Sequence, residues 1–526
     1  MIVLSSKLDC CGCNACVSSC PDNCIKLKPD SEGFEYIDID VSTCTNCGKC
    51  DRTCPMNKER ETGKDPVAYA AWARNEEIRG VSSSGGVFSV LAQKTLAEAG
   101  VVFGAAFNEE MHLEHTYVDK TENLEALRGS KYLQSDIANS FIEVRAFLKA
   151  GRQVLFSGTP CQIAGLKNFL KQPYENLLTV EVVCHGVVSP KVFKAYKQLR
   201  EKDNGSKTER IEFRNKKFGW KIFSVVLSFA NKKLYSKKLS DDPYMRGFLR
   251  NLYLRPACHE CQFSTIPRVS DIALGDFWGV YGINKDLDDD KGTSVVLAQT
   301  NKGKDFFESC KDELVVHDAK LSDAIKVNSA IVKSALPDKR RESFFRDFNK
   351  MPYEKVEKKY MRKDIFEFIK EKHLNIFKIL TCAWMCVIFY FSAQTAGGSI
   401  QSSSGVLNSI IDFVIQLTGH AISEAQRLQL IGQMMGTVRS CAHFIEYVIL
   451  GVLVSKSFVI TKAGIFKIIG LMLLFCFTYA LSDEAHQLFV PGRAFQLEDL
   501  SLDCLGSLTG LGLVVGYRFF RYKNKR

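Results

Sequence analysis

Eight cysteines near the start of the chain recur in a single spacing. Cys10, Cys13, Cys16 and Cys20, followed by Pro21, are repeated as Cys44, Cys47, Cys50 and Cys54, followed by Pro55. The pattern C-x-x-C-x-x-C-x-x-x-C-P therefore occurs twice. Three thiolates on one tight loop can cap three corners of an iron–sulfur cubane, and the fourth corner is reached from the other repeat. Cys54 then completes the first cluster and Cys20 the second, while each proline turns the chain away. Zinc is the competing chemistry, but its modules use paired C-x-x-C knuckles and rarely a third cysteine with C-P. The eight residues thus predict two 4Fe–4S clusters. Cys11 and Cys24 fall outside the spacing and are read as packing residues, with Cys11 able to compete as a ligand. Of the 20 cysteines, half lie in this stretch. Residues 1–9 hold only a short apolar run with no small-residue cleavage site, so metal binding in a reducing compartment is expected rather than disulfides.

This duplicated module resembles bacterial two-cluster ferredoxins. Further along, six short motifs occur in order: Ser82-Ser83-Ser84-Gly85-Gly86, Gly129-Ser130-Lys131-Tyr132, Gly158-Thr159-Pro160-Cys161-Gln162, Cys184-His185-Gly186, Cys258-His259-Glu260-Cys261 and Gly275-Asp276-Phe277-Trp278-Gly279. Together they resemble the β subunit of coenzyme F420 hydrogenases and dehydrogenases over about 66–340. Physically, a serine–glycine run opening a helix offers N–H groups and hydroxyls to a phosphate; an ordinary helix cap is the simpler reading. The resemblance implies FAD, with its pyrophosphate at Ser83, Ser84, Gly85 and Gly86 and with Lys131 neutralising it. The resemblance also supports a third 4Fe–4S cluster on Cys161, Cys184, Cys258 and Cys261, four thiols that could otherwise be buried small hydrophobes. His185 and His259 adjoin these cysteines and are left as core histidines.

The elements that must position these groups follow from length and pattern. A chain of 526 residues exceeds a single core and is read as several domains. A ferredoxin-like α+β module takes 1–60. Short apolar runs at 67–72, 101–107, 154–157, 178–183, 223–229 and 294–299 alternate with helical patterns at 86–99, 136–150 and 190–199, which predicts an α/β flavin-binding domain over 66–337. Residues 338–372 read as a charged linker or a solvated helix, with few core positions. From 373 to 526 the composition turns apolar, and runs at 376–392, 444–454, 465–481 and 505–520 each extend towards the ~20 residues that span a bilayer. The expected fold class is therefore multidomain, ending in an all-α transmembrane bundle. Segment 405–418 reads as interfacial or re-entrant. Residues 373–526 resemble the VanZ-like family through Arg439, His443, Glu446 and Tyr447, then Ser482-Asp483-Glu484-Ala485-His486-Gln487, Pro491-Gly492-Arg493 and Asp499. Such polar groups at membrane edges mark either a site or interhelical hydrogen bonds.

Net charge is +11 without a nucleic-acid motif, so no nucleic-acid partner is expected and the basic residues are read as setting membrane orientation. The linker, Lys456 and Lys462, and the tail from Arg518 to Arg526 are basic, whereas 482–503 carries Arg493 alone among five acidic residues. Redox domains and both termini are then cytoplasmic in a multi-pass protein of the cell membrane. The expected function is a membrane-anchored iron–sulfur flavoprotein oxidoreductase. It moves electrons between its clusters, FAD and an unidentified two-electron substrate, with a donor or acceptor protein or a small redox coenzyme as partner. The alternative makes the VanZ-like part a cell-surface lipid- or glycan-related protein, with the cysteine-rich half as redox sensor or anchor. The orientation predicts that a Gln496→Cys probe, in a background without other accessible thiols, reacts with a membrane-impermeant reagent in whole cells. An Asn524→Cys probe should react only after lysis; the opposite pattern inverts the topology.

Overall fold

Consecutive residues of the central strands send their side chains to opposite faces, and here both faces are apolar. Val102 and Leu155 enter one buried cluster with Val87, Val90 and Leu91. Their neighbours Phe103 and Phe156 enter another with Phe141, Val144, Ile163 and Leu166. A strand buried on both sides reads as a continuous apolar run, as at 101–103 and 154–156. The computed structural model describes residues 1–58, 63–362, 365–420, 422–458 and 465–523. It divides into two units, Met1–Arg362 and Lys363–Arg526. Of the residues used above, Lys462, Asn524, Lys525 and Arg526 lie outside the described set.

The strands of the first unit are β1 Ile25–Pro29, β2 Glu35–Ile39, β3 Val67–Ala73, β4 Val101–Phe107, β5 Leu113–Val118, β6 Val154–Gly158, β7 Leu177–Val182, β8 Thr208–Asn215, β9 Ser224–Phe229, β10 Leu234–Lys238, β11 Ile272–Asp276, β12 Ser294–Ala298 and β13 Leu314–Ala319. Eight form one mixed sheet in the order β13-β3-β12-β11-β7-β6-β4-β5. Its middle is parallel, with β4 on β6, β6 on β7 and β7 on β11. Both margins are antiparallel. Ser140–Lys149 and Pro160–Leu170 lie on the crossovers from β4 to β6 and from β6 to β7, and Val87–Ala97 leads from the marginal β3 to β4. A second sheet, β10-β9-β8, and the β1–β2 hairpin of the cysteine module complete the unit. All six strand runs read from the sequence are strands. The half-exposed β8 and β10 carry too many charged residues to be seen as apolar runs.

The stretch expected as a solvated linker is different. Arg341–Phe348 and Tyr353–Tyr360 are helices. Their Phe344, Phe345, Val356 and Tyr360 are buried in the same cluster as Tyr253 and Phe248. Twelve basic residues dominate the composition, yet apolar residues at helical spacing fix one face to the core.

The second unit is helical throughout its described elements: Ile365–Ser392, Ala396–Thr418, Glu424–Ser457, Ile465–Gln487 and Leu497–Lys523. Among the described residues three helices, Glu424–Ser457, Ile468–Gln487 and Leu497–Tyr517, are long and apolar enough to cross a membrane, while Ile376–Ser392 and Leu407–Thr418 are shorter apolar helices. The sequence expectation of four spans therefore meets three of that length. The expected loop 482–503 is also shorter, because Ser482 to Gln487 finish one helix and Leu497 begins the next.

Phe344 is fully buried. Phe344→Ala should destabilise the first unit by about 3–5 kcal/mol in chemical denaturation followed by tryptophan fluorescence. A solvated linker would show almost no change.

Candidate functional site

Each cysteine loop needs tight reversals between its ligands, and the sequence supplies residues that tolerate them. Gly12 (φ 73) and Asn14 (φ 56) separate the first three cysteines; Asn46 (φ 52) and Gly48 (φ 69) occupy the matching places in the second repeat. Glycine and asparagine are the residues that enter the left-handed region most readily. The short helices Ala15–Ser19 and Lys49–Thr53 follow, and both end at the fourth cysteine. Cys10, Cys13, Cys16 and Cys54 line one hollow. Cys20, Cys44, Cys47 and Cys50 line another. The structure therefore brings the eight thiols together in the crossed grouping that the spacing implies. Among the described residues no three His, Cys, Asp or Glu are placed to hold a metal ion; the four thiols of each set that line a hollow are the donor set of a cubane.

The two cysteines outside the pattern touch these hollows. Cys24 Sγ lies 3.3 Å from Cys20 Sγ. Cys11 lines the first hollow and pairs with Cys13 and Cys161. Sequence reasoning missed Arg255. Its guanidinium is fully buried; Nε donates to the Cys10 carbonyl at 2.8 Å, Nη2 to Cys10 Sγ at 3.4 Å and Nη1 to Gln134 Oε1 at 3.0 Å. A cation held there offsets negative charge on the thiolates. Its one signal in the sequence is its position three residues before Cys258.

The four scattered cysteines converge. Cys161 sits in the first turn of helix Pro160–Leu170, behind the capping box of Thr159 and Gln162. Thr159 Oγ1 is 3.2 Å from Cys161 Sγ. Cys258 Sγ accepts from Val187 N at 3.5 Å. Cys184 follows β7, and Cys258, Cys161 and Cys261 lie within electrostatic reach of it. Burial pushes the Cys184 thiol well above its ordinary range and the Cys258 thiol up to about 12. Such thiols ionise only as a cation arrives, so metal loading would release protons. The histidines bond to protein groups: His185 Nε2 to Asn251 Oδ1 at 2.6 Å and His259 Nδ1 to the Ala335 carbonyl at 2.7 Å. Through the Cys11–Cys161 contact and Gly165, whose added Cβ would fall 3.0 Å from Cys13 Sγ, this group adjoins the first hollow.

The serine–glycine run opens helix Val87–Ala97, with Gly86 at φ 87. Much of its bonding capacity is used within the fold. Ser83 Oγ accepts from Ser130 N at 2.7 Å, Ser84 Oγ donates to the Thr293 carbonyl at 3.1 Å, and Gly85 N donates to Ser294 Oγ at 3.0 Å. The Ser83 hydroxyl proton remains free to donate to a ligand. Lys131 Nζ donates to the carbonyls of Ala126 and Arg128 at 3.0 and 2.8 Å, and burial draws its ammonium down to about 7. Lys216, which the sequence did not single out, donates to the Ser84 carbonyl at 2.6 Å. Asp276 of the Gly-Asp-Phe-Trp motif is gripped by Arg214 and by Trp220 Nε1, and Trp220 stacks on Trp278 at 4.6 Å.

Because the fourth cysteine of each set is exchanged between repeats, Cys20→Ala should remove the cluster of Cys44, Cys47 and Cys50 and largely spare that of Cys10, Cys13 and Cys16. Electron paramagnetic resonance of the reduced protein separates the two; selective loss of the Cys10 cluster would refute the grouping.

Comparison with known proteins gives four family matches. Residues 9–58 match the 4Fe-4S dicluster domain. Residues 68–141 match the N-terminal part of the coenzyme F420 hydrogenase/dehydrogenase β subunit, and 151–324 its C terminus. Residues 377–521 match VanZ/LLP1. One subunit of the F(420)H(2) dehydrogenase of Methanosarcina mazei is 24% identical over 323 residues, 58% of this chain and 84% of that protein. An uncharacterized protein of Methanocaldococcus jannaschii is 23% identical over 337 residues, 57% of this chain and 86% of its own length. A chain of the F420-reducing NiFe hydrogenase complex from Methanosarcina barkeri aligns at 16% identity and a TM-score of 0.37, over 55% of this chain and 94% of its own. The chain thus matches, in this order, the family models of the 4Fe-4S dicluster domain, the coenzyme F420 hydrogenase/dehydrogenase β subunit in its N- and C-terminal parts, and VanZ/LLP1.

Proposed function

We propose that the chain is a membrane-anchored iron–sulfur flavoprotein that passes electrons through two N-terminal clusters and a third cluster to FAD and a two-electron substrate. The observation that carries this reading is the contact between the first thiol hollow and the group of Cys161, Cys184, Cys258 and Cys261 through Cys11. Electron carriers must lie close together, and here two ligand sets adjoin through one thiol pair. Cys47 is exposed at the second hollow, which makes that end the entry or exit for an external carrier. Arg255 holds a buried positive charge against Cys10 and favours the more negative, reduced form of the first cluster.

FAD, when bound, interconverts one-electron and two-electron transfer. Ser83 would donate its hydroxyl proton to the pyrophosphate beside the helix that Gly86 opens, with the remaining N–H of Lys131 as a second donor. The paired Arg214 and Asp276, under the Trp220–Trp278 stack, form a rigid polar wall close to the loop through Lys216. The Methanosarcina mazei relative is one subunit of a dehydrogenase, so a partner protein belongs to the proposal. So does the cytoplasmic placement of the redox part and of both termini.

Anaerobic purification with iron, sulfide and flavin counting tests the reading. Twelve irons and one flavin per chain are the expected result for three clusters and FAD. Ser83→Asp places a negative charge where the pyrophosphate would lie, and should lower flavin retention at least tenfold with iron content unchanged. Wild-type protein that carries no flavin and takes up none from solution would remove the flavin reading.

A further inference from the structure

Inside the second unit, two helices meet backbone to backbone because glycine leaves no side chain between them. A Cβ on Gly510 would fall 2.1 Å from the Val448 carbonyl oxygen, and one on Gly506 would fall 2.5 Å from that of Phe444. This close approach of Leu497–Lys523 to Glu424–Ser457 carries Asp503 up to His443, with Oδ1 3.4 Å from Nδ1. The contact lacks hydrogen-bond alignment, and both atoms are without a partner. Asp483, in the last turns of Ile465–Gln487, faces the same space and lies within electrostatic reach of Asp503 and His443. Asp483 is 3% exposed and Asp503 0%. None of their four carboxylate oxygens makes a well-aligned hydrogen bond, although Ser392 and Gln487 lie beside Asp483 and His443 beside Asp503, and the hydroxyl of Tyr447, within electrostatic reach of both acids, has no partner either.

Of the other acids nearby, Glu446 lies within electrostatic reach of both aspartates and of His443, whereas Glu484 and Asp499 are satisfied. Glu484 accepts from Gln487 Nε2 at 2.9 Å and Gln496 N at 3.0 Å. Asp499 pairs with Arg439 at 3.4 Å. Arg439 itself keeps a buried Nε without an acceptor, and Arg493, which already donates to the Gln394 and Phe391 carbonyls and to Gln487 Oε1, lies within electrostatic reach of it. An unmet guanidinium N–H and unmet carboxylate oxygens therefore sit side by side. Protons on the aspartates would leave Arg439 unmet, a divalent cation would relieve the aspartates but face two guanidiniums, and inorganic phosphate would do the reverse. A zwitterion meets both needs. The site lies at helix ends, where the next residues, Leu488 and Phe489, are 60% and 84% exposed and offer apolar surface to acyl chains.

We infer that this cluster binds the headgroup of a phospholipid bearing a primary ammonium, which donates to Asp483, Asp503 and Tyr447 while the phosphodiester lies against Arg439 and Arg493. The inference is independent of the redox reading above.

The test uses the full-length chain, delipidated in detergent, with binding followed by native mass spectrometry and thermal shift. Phosphatidylethanolamine should bind at least tenfold tighter than phosphatidylcholine, whose quaternary ammonium has no N–H, and than phosphatidylglycerol, which has no cation. Asp483→Asn with Asp503→Asn should bring phosphatidylethanolamine down to the level of phosphatidylglycerol while leaving the latter unchanged. Equal affinity for the three lipids would overturn the inference, as would a preference that survives the double variant or stabilisation by magnesium or zinc ions alone. Glycerophosphoethanolamine binding as tightly as the lipid would overturn the lipid assignment. Should the double variant fail to fold, the three-lipid comparison on the wild-type protein still decides.

Discussion

Arg255 holds the first unit together at the point where its two groups of cysteines meet. Its guanidinium is fully buried and donates to Cys10, Gln134 and the Glu35 carbonyl, so one cation bridges the cysteine loop, the β1–β2 hairpin and the sheet domain. Gln134 returns a bond to the Gly12 carbonyl at 3.2 Å, which fixes the loop that separates Cys10 from Cys13. A buried cation costs several kcal/mol in desolvation unless it is surrounded by acceptors. Here the acceptors are backbone carbonyls, an amide and a thiol that becomes anionic once it binds metal. The fold and the metal chemistry therefore support each other, because the charge that the thiolates need is the charge that docks the module onto the sheet.

From that junction the rest of the unit follows. Helix Pro160–Leu170 carries Cys161 at its first turn and presents Gly165 to Cys13, where any larger residue would push the module away. The 3-10 helix Pro256–Glu260 begins directly after Arg255 and brings Cys258 back towards Cys184. Arg341–Phe348 closes over the same region: Arg341 donates to Glu32 beside the hairpin and to the Leu254 carbonyl at 2.9 Å, next to Arg255 in the chain. A segment that composition marks as solvated thus clamps both sides of the junction, with Phe344 buried beneath it.

The second unit solves a different problem. In a bilayer, helices gain little by burying apolar residues against one another, so close packing and polar contacts hold them. Glycines at 451, 506 and 510 let two backbones touch, and that proximity concentrates His443, Tyr447 and Asp503 in a space that Asp483 also enters. The same packing that binds the helices creates the unmet polar groups, which is why they point to a ligand rather than to interhelical bonds alone.

The sequence by itself determined the crossed grouping of the eight thiols, since the spacing C-x-x-C-x-x-C-x-x-x-C-P constrains a loop locally and glycine or asparagine at 12, 14, 46 and 48 permits its left-handed turns. It also determined six of the strands, whose apolar runs register their burial, and the apolar character of the C-terminal helices. The tertiary structure alone decided that Arg255 serves Cys10 across 245 residues, that Cys11 bridges two ligand groups, and that Lys131 spends two of its bonds on nearby carbonyls while Lys216 reaches the serine–glycine loop. It alone placed 341–360 in the core and left Asp483 and Asp503 without partners. The division has a physical cause: ligand spacing and strand burial act over a few residues and leave a pattern in the chain. The placement of a long charged side chain depends on which distant backbone carbonyls folding brings within its reach, and no local pattern records that.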